Sequence, residues 1–234
     1  MSHSPHPLVV SAQRLTRHLS EDFLGGPRPL RMADVINFQK GLTAPFVLAL
    51  MALYGNFSTT AWVYLALHGA YGLLWLMKHR AFPDARWERR ITLGGALMSF
   101  LLVLGPYWVL PWLLVSRGTQ ASGPLLAVAI ALHTVGVAVM LTADAQKHFT
   151  LRARPGLITD GLHARTRHPN YLGEMMLYGA YALLVQHWLG CAILAWVWTA
   201  IFLVNILAQE ASLARHPGFG EWRARTGLLL PKLW

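Results

Sequence analysis

The chain has 234 residues, 55% of them hydrophobic and 13% charged, with a formal net charge of +10. So few polar side chains cannot cover a soluble domain of this length, so the excess apolar residues need lipid around them and an all-α integral membrane protein is expected. Nucleic-acid binding is excluded in the same step, because no soluble basic domain or aromatic platform is left outside the apolar runs.

Residues 1–41 are amphipathic at most and show no short apolar core followed by a small-residue cleavage site, so they read as a cytosolic or interfacial N-terminal segment lying on the membrane surface. Six apolar runs come after it, at 42–57, 61–77, 92–116, 122–143, 171–186 and 188–208. Each is near the ~20 residues that cross a ~30 Å hydrocarbon layer, the first and fifth being short. About six transmembrane helices are therefore expected, with residues 42–143 forming a four-helix part. Ala81-Phe82-Pro83-Asp84 and Ser116-Arg117-Gly118-Thr119 have turn composition between runs, and only Gln186-His187 separates the fifth run from the sixth, which predicts a tight helical hairpin. Residues 144–234 would then hold a cytosolic cofactor-binding loop, this hairpin and a cytosolic tail. The one cysteine, Cys191, falls inside a run, which excludes disulfides and cysteine-based zinc sites.

Charge placement is a second reading of the same topology. With the N-terminus in the cytosol, the segments 1–41, 78–91, 144–170 and 209–234 carry 19 of the 20 Lys and Arg residues, and only Arg117 falls outside. Excess positive charge stays on the cytosolic side, so both termini are expected there, against anionic headgroups of the membrane lipids.

The segment 144–174 is unusually polar for one leading into an apolar run. In Arg167-His168-Pro169-Asn170-Tyr171-Leu172-Gly173-Glu174 the proline suits a first helical turn, where its missing N–H would have had no partner, so a helix is expected to start at His168 or Pro169. From there Asn170, Tyr171, Glu174, Tyr178 and Tyr181 share one face by their three- and four-residue spacing. An asparagine, a carboxylate and three phenols are too polar for acyl chains, so this face is expected to look into a cavity or at a ligand. Lys147, Arg152, Arg154, Arg165 and Arg167 supply five cations in one stretch just beneath the bilayer, the donors that a phosphate-bearing ligand needs.

These residues carry a family resemblance. RHPNYLGE, preceded by Gly161-Leu162 and by Asp144-x-x-Lys147-x-Phe149, resembles the C-terminal cofactor-binding region of membrane sterol reductases and steroid 5α-reductases. It is similar, more broadly, to membrane methyltransferases of the isoprenylcysteine carboxyl methyltransferase type, which share an RHPxY segment and a later Glu before a short cytosolic tail. The likeness covers residues 140–234. It implies that Lys147 and Arg152 hold the phosphate end of NADPH, that Asn170 and Tyr171 contact the cofactor, and that His163 stands where relatives stack a tryptophan on it. Arg167 and His168 come with the RHPNY segment, and Glu210 is expected to accept hydrogen bonds from a ribose or an amino group.

Asn170 with Glu174 favours the reductase, as does the phosphate of NADPH, which S-adenosylmethionine lacks. The expectation is an NADPH-dependent reductase of a carbon–carbon double bond in a membrane-embedded sterol, steroid or other isoprenoid-like lipid. Its acid is sought among Tyr178 and Tyr181, then Tyr71 and His68, and Glu174 is expected to be catalytic beside the first two. The alternative is an S-adenosylmethionine-dependent methyltransferase acting on a lipid or prenylated acceptor, with Glu174 or His168 positioning that acceptor; a third is a non-enzymatic membrane binding module. The tail spacing predicts a short helix at 219–225 closing the cytosolic mouth, with Trp222 read first as an interfacial anchor.

Overall fold

The computed structural model describes residues 7–232, and the protein is 75% helical. An N-terminal helix α1 (Pro7–Arg17) runs into a π-helical turn, His18–Asp22. Two short strands, β1 (Leu30–Arg31) and β2 (Arg90–Ile91), then pair antiparallel and tie the start of α2 (Met32–Tyr54) to the segment before the third helical pass. Side chains that accept first-turn amides open the next helices. Ser58 Oγ accepts from Ala61 N at 3.3 Å and opens α3 (Thr59–Ala81). Thr92 Oγ1 accepts from Gly95 N at 3.0 Å and opens α4 (Leu93–Ser99).

The third pass is broken. After α4 comes a π-helical stretch, Phe100–Leu104, and then α5 (Pro106–Ser116), bent by 44° from the preceding part. The cause is local: Pro106 has no N–H to give, and Gly105 N reaches back five residues to Phe100 O at 2.6 Å, widening the turn. Ser122 caps α6 (Gly123–Ala153), whose first turn also holds Pro124. Helix α7 (Pro169–Val185) starts at the predicted proline with His168 as its cap residue. Gln186, left-handed at φ 49°, reverses the chain and His187 caps α8 (Trp188–Val197), so the tight hairpin is as expected. A π-helical stretch, Trp198–Leu203, joins α8 to α9 (Val204–Leu213), and the short tail helix is α10 (Phe219–Arg225).

Among the described residues three helical passes are long and apolar enough to cross a membrane, Met32–Tyr54, Gly123–Ala153 and Trp188–Leu213; a fourth is added if the bent pair is one span. Helix α7 has only 17 residues, and α3 buries Tyr64, His68, Tyr71 and Lys78. Both spend their polar groups on protein neighbours.

Two boundaries differ from the sequence reading. Helix α2 starts at Met32, inside the segment 1–41, because Asp34 at its third position takes the Arg31 backbone N–H at 2.8 Å. Lys40 consequently leaves the cytosolic segment and becomes part of α2. Helix α6 runs on to Ala153, past residue 143, so Asp144, Lys147 and Arg152 sit on its final turns rather than in a loop. Apolarity marks where lipid ends, whereas this helix ends only where Pro155-Gly156 breaks it.

Helices α6 and α7 approach closely where Gly136 and Gly173 face each other. A Cβ at Gly173 would lie 2.5 Å from Gly136 O and from Met140 N; one at Gly136 would lie 2.7 Å from Gly173 O. That approach brings Asp144, one turn beyond Met140, alongside Glu174.

Candidate functional site

The polar face of α7 points inward. Tyr171, Tyr178 and Tyr181 are buried and Glu174 is half-buried, but the face meets side chains where the sequence suggested an open cavity. Tyr178 Oη accepts a hydrogen bond from Lys40 Nζ at 2.6 Å. That ammonium is 4% exposed and lies 4.5 Å from the Tyr71 ring centre and 5.2 Å from that of Tyr178, an arrangement in which ring faces replace part of its water. The Tyr107 ring stacks on Tyr178 with centroids 4.0 Å apart. Deeper in the bundle Tyr181 Oη meets His133 Nε2 at 3.0 Å, its ring stacks on His68 at 4.3 Å, and His68 Nδ1 meets Tyr64 Oη at 3.0 Å.

Towards the end of the bundle where α7 begins, Lys78 bonds Asp144. Glu174 lies within electrostatic reach of Asp144, Lys78, Lys40 and Arg86. A file of hydrogen-bonding groups thus runs along α7 through an otherwise apolar bundle. Lys40, Lys78, Arg86, Tyr64, Tyr107 and His133 are the members that sequence reasoning missed. A lysine inside an apolar helix was the signal available for the first two.

Lys147 and Arg152 share the wall of one cavity of about 360 Å³ with Lys78, Asp84, Asp144 and His148. Lys147 Nζ is 4.0 Å from Asp84, whose carboxylate also takes Arg86 at 2.8 Å. Burial alone would raise the Asp84 pKa, but the bonds from Arg86 and the charges of Arg86 and Lys147 outweigh it and hold the carboxyl well below the usual range. The other three cations of the predicted cluster lie elsewhere: Arg154 pairs with Asp160 at 2.7 Å on the surface, Arg165 is exposed, and Arg167 is buried.

Arg167, His168 and Glu210 form a clamp of their own. Arg167 Nε donates to Glu210 Oε2 at 2.9 Å and its Nη1 to Thr226 O at 2.8 Å, while His168 Nε2 lies 2.9 Å from Glu210 Oε1. The backbone of the tail completes it, for Arg167 N donates to Gly227 O and His168 N to Leu228 O. These three residues fasten the tail to the start of α7, and Arg167 is not in the wall of the Lys147 cavity. Trp222 belongs to the same closure: it is 2% exposed and its Nε1 donates to His163 O at 2.8 Å, so it is a buried packing residue and not a membrane anchor. Burial pushes the His163 imidazole below its usual range, and its Nε2 has no hydrogen-bond partner among the described residues. Asn170 is half-buried on the first turn of α7, and neither it nor Tyr171 lines the cavity of Lys147. Tyr171 instead takes a hydrogen bond from Gln209 Nε2 at 3.1 Å and neighbours Arg86.

A family model described as protein of unknown function, DUF1295, matches residues 84–226. The chain belongs to this family. No curated protein matches it. The DUF1295 match begins at Asp84 and takes in Lys147 and Arg152, the tyrosines of α7 and the Arg167–Glu210 clamp, while Lys40, Tyr71 and Lys78, the last a member of the Lys147 cavity wall, precede it. The polar file is therefore completed by a part of the chain outside the DUF1295 match.

Proposed function

We propose that the protein is an integral membrane reductase that uses NADPH to reduce a carbon–carbon double bond in a membrane-embedded sterol, steroid or other isoprenoid-like lipid. The observation that carries this reading is the Lys147–Arg152 cavity. Its wall holds Lys147 and Arg152. Lys78 there is matched by Asp144 and Asp84 is held by Arg86, so Lys147, Arg152 and His148 are the groups left for a ligand, and Lys78 and Asp144 adjoin Glu174 and so the buried file of α7. A donor set of this kind suits a phosphate, and S-adenosylmethionine has none to offer it. Bound NADPH would supply the hydride.

The chain's own residues account for the proton. The Lys40 ammonium donates to Tyr178 Oη, so the phenol hydrogen is free to point at another acceptor. Lys40 and Tyr178 then act as one proton-delivering pair, and the carboxylate of Glu174 offsets the buried positive charge of Lys40 and Lys78. Lys147 and Arg152 hold the phosphate end, with Asn170 and Tyr171 orienting the remainder from the start of α7. The function is tested with purified protein and either ligand at micromolar concentration: a change in NADPH fluorescence that saturates supports the reductase, and retention of S-adenosylmethionine with no NADPH signal replaces it by a methyltransferase.

The same reading gives six passes with both termini in the cytosol, the bent third pass and the 17-residue α7 each counting as one. Arg117 is the one cation of the loops that falls on the far side. In a Cys191→Ala background, Gly118→Cys should react with an impermeant thiol reagent only from outside, and Ala85→Cys only from the cytosol. Reaction of both from one side ends this topology.

A further inference from the structure

A second cavity, of about 400 Å³, lies between α1, α2, the third pass and the last pass. Its polar end has two matched arginines, Arg89 with Glu21 at 3.1 Å and Arg86 with Asp84 at 2.8 Å, and Arg17 stands exposed at the rim. Most of the charge at this mouth is spent inside the protein. Further in, the wall is Met32, Ile36, Val103, Leu104 and Ile201, which suits a hydrocarbon body.

The wall also contains Ser99. This residue is 8% exposed, its hydroxyl is buried, and it has no hydrogen-bond partner among the described residues. Leaving a buried hydroxyl unmatched costs about 1–3 kcal/mol, so it calls for a partner that binds there. Gln39 repeats the observation on the facing helix. It is one turn beyond Ile36, fully buried, and unpartnered at both amide atoms. Ser99 and Gln39 each lie two turns into their helices, about 10 Å from the cytosolic start at 1.5 Å per residue, so the two orphaned groups sit at similar depth. All three π-helical stretches border the space, His18–Asp22 supplying Ser20 and Glu21, Phe100–Leu104 supplying Val103 and Leu104, and Trp198–Leu203 supplying Ile201. Wide turns of this kind recur at functional sites.

We propose that this cavity binds a lipid whose apolar body carries a hydroxyl or carbonyl oxygen, and that Ser99 is the hydrogen-bond partner of that oxygen. The site deepens the reductase reading and rests on it for the reaction of the bound lipid. Arg86 and Gln209 stand in its wall and both hold Tyr171, and the Asp84 partner of Arg86 stands in the wall of the Lys147 cavity. One ion pair therefore separates a lipid compartment from a phosphate compartment. A lipid held on one side of Arg86 and a nucleotide on the other would meet beside Tyr171.

The test is made without nucleotide, so a protein that fails to bind NADPH still reports on it. Purified full-length protein in nanodiscs is titrated with farnesol and, separately, with β-farnesene, which has a similar apolar body and no oxygen. Farnesol should bind saturably, and Ser99→Ala should weaken it about five- to tenfold, the worth of one net hydrogen bond, while leaving β-farnesene unchanged. Ile36→Trp and Val103→Phe, which fill the cavity from opposite walls, should each abolish saturable farnesol binding while the protein stays monodisperse; either one suffices if the other does not fold. Equal affinity for the two probes, equal loss of both in Ser99→Ala, or farnesol binding that survives a folded cavity-filling variant overturns the proposal.

Discussion

Gly173→Ala should cost about 3 kcal/mol or more and Gly173→Leu should leave no monodisperse protein after extraction. A Cβ at Gly173 would meet backbone on α6, Gly136 O and Met140 N, each at 2.5 Å. Backbone atoms cannot rotate aside as a flexible side chain does, so the two helices would have to separate, and overpacking of a closed contact costs about 1–3 kcal/mol even where it relaxes. Gly179, on the same helix, is the control: a Cβ there would meet only Leu132 Cδ2, at 3.9 Å, and Gly179→Ala should be tolerated. Thermal unfolding followed by size-exclusion chromatography decides it. A melting temperature for Gly173→Ala equal to that of Gly179→Ala would mean that α6 and α7 do not approach at this point.

Lys147→Ala and Arg152→Ala should each weaken NADPH more than NADH. A cation paired with the 2′-phosphate matters only when that phosphate is present, and charge-assisted bonds of this sort contribute about 1.5–3 kcal/mol, roughly 10- to 150-fold in affinity. Arg154→Ala removes a cation of the same stretch whose partner is Asp160 on the surface, and should change neither affinity. Equal losses for both nucleotides in Lys147→Ala and Arg152→Ala would assign these residues to folding or topology and remove the support that the cavity gives to the reductase.

What is legible in the sequence is local. Pro169 announces the start of α7, Gln186-His187 the hairpin, and the spacing near Trp222 the tail helix, because each depends on neighbours a few residues away. The inward face of α7 is legible too, since carboxylate and phenols at helical spacing cannot face acyl chains. What the sequence hides is pairing over distance. Lys40 and Tyr178 are 138 positions apart, and Lys78 and Asp144 are 66 apart. Lys40 reads as part of a cytosolic segment because hydropathy fades before the helix does, and for the same reason the end of α6 reads as loop. Arg167 and Trp222 mislead in the opposite direction. A guanidinium and an indole at a membrane surface suggest phosphate and interface, and here both are spent on the tail.

That tail has a consequence for the order in which the chain can be completed. Arg167 and Thr226 are bonded across 59 positions, and the intervening stretch contains the last two helical passes. During synthesis the start of α7 is made well before the segment that locks it. At about 5–20 residues per second this leaves the segment 165–168 without its partner for several seconds, so the buried Arg167 charge has to wait in contact with water. The clamp is thus among the last contacts to form, and a chain ending at residue 225 should leave the segment 165–168 open to protease where the full chain protects it.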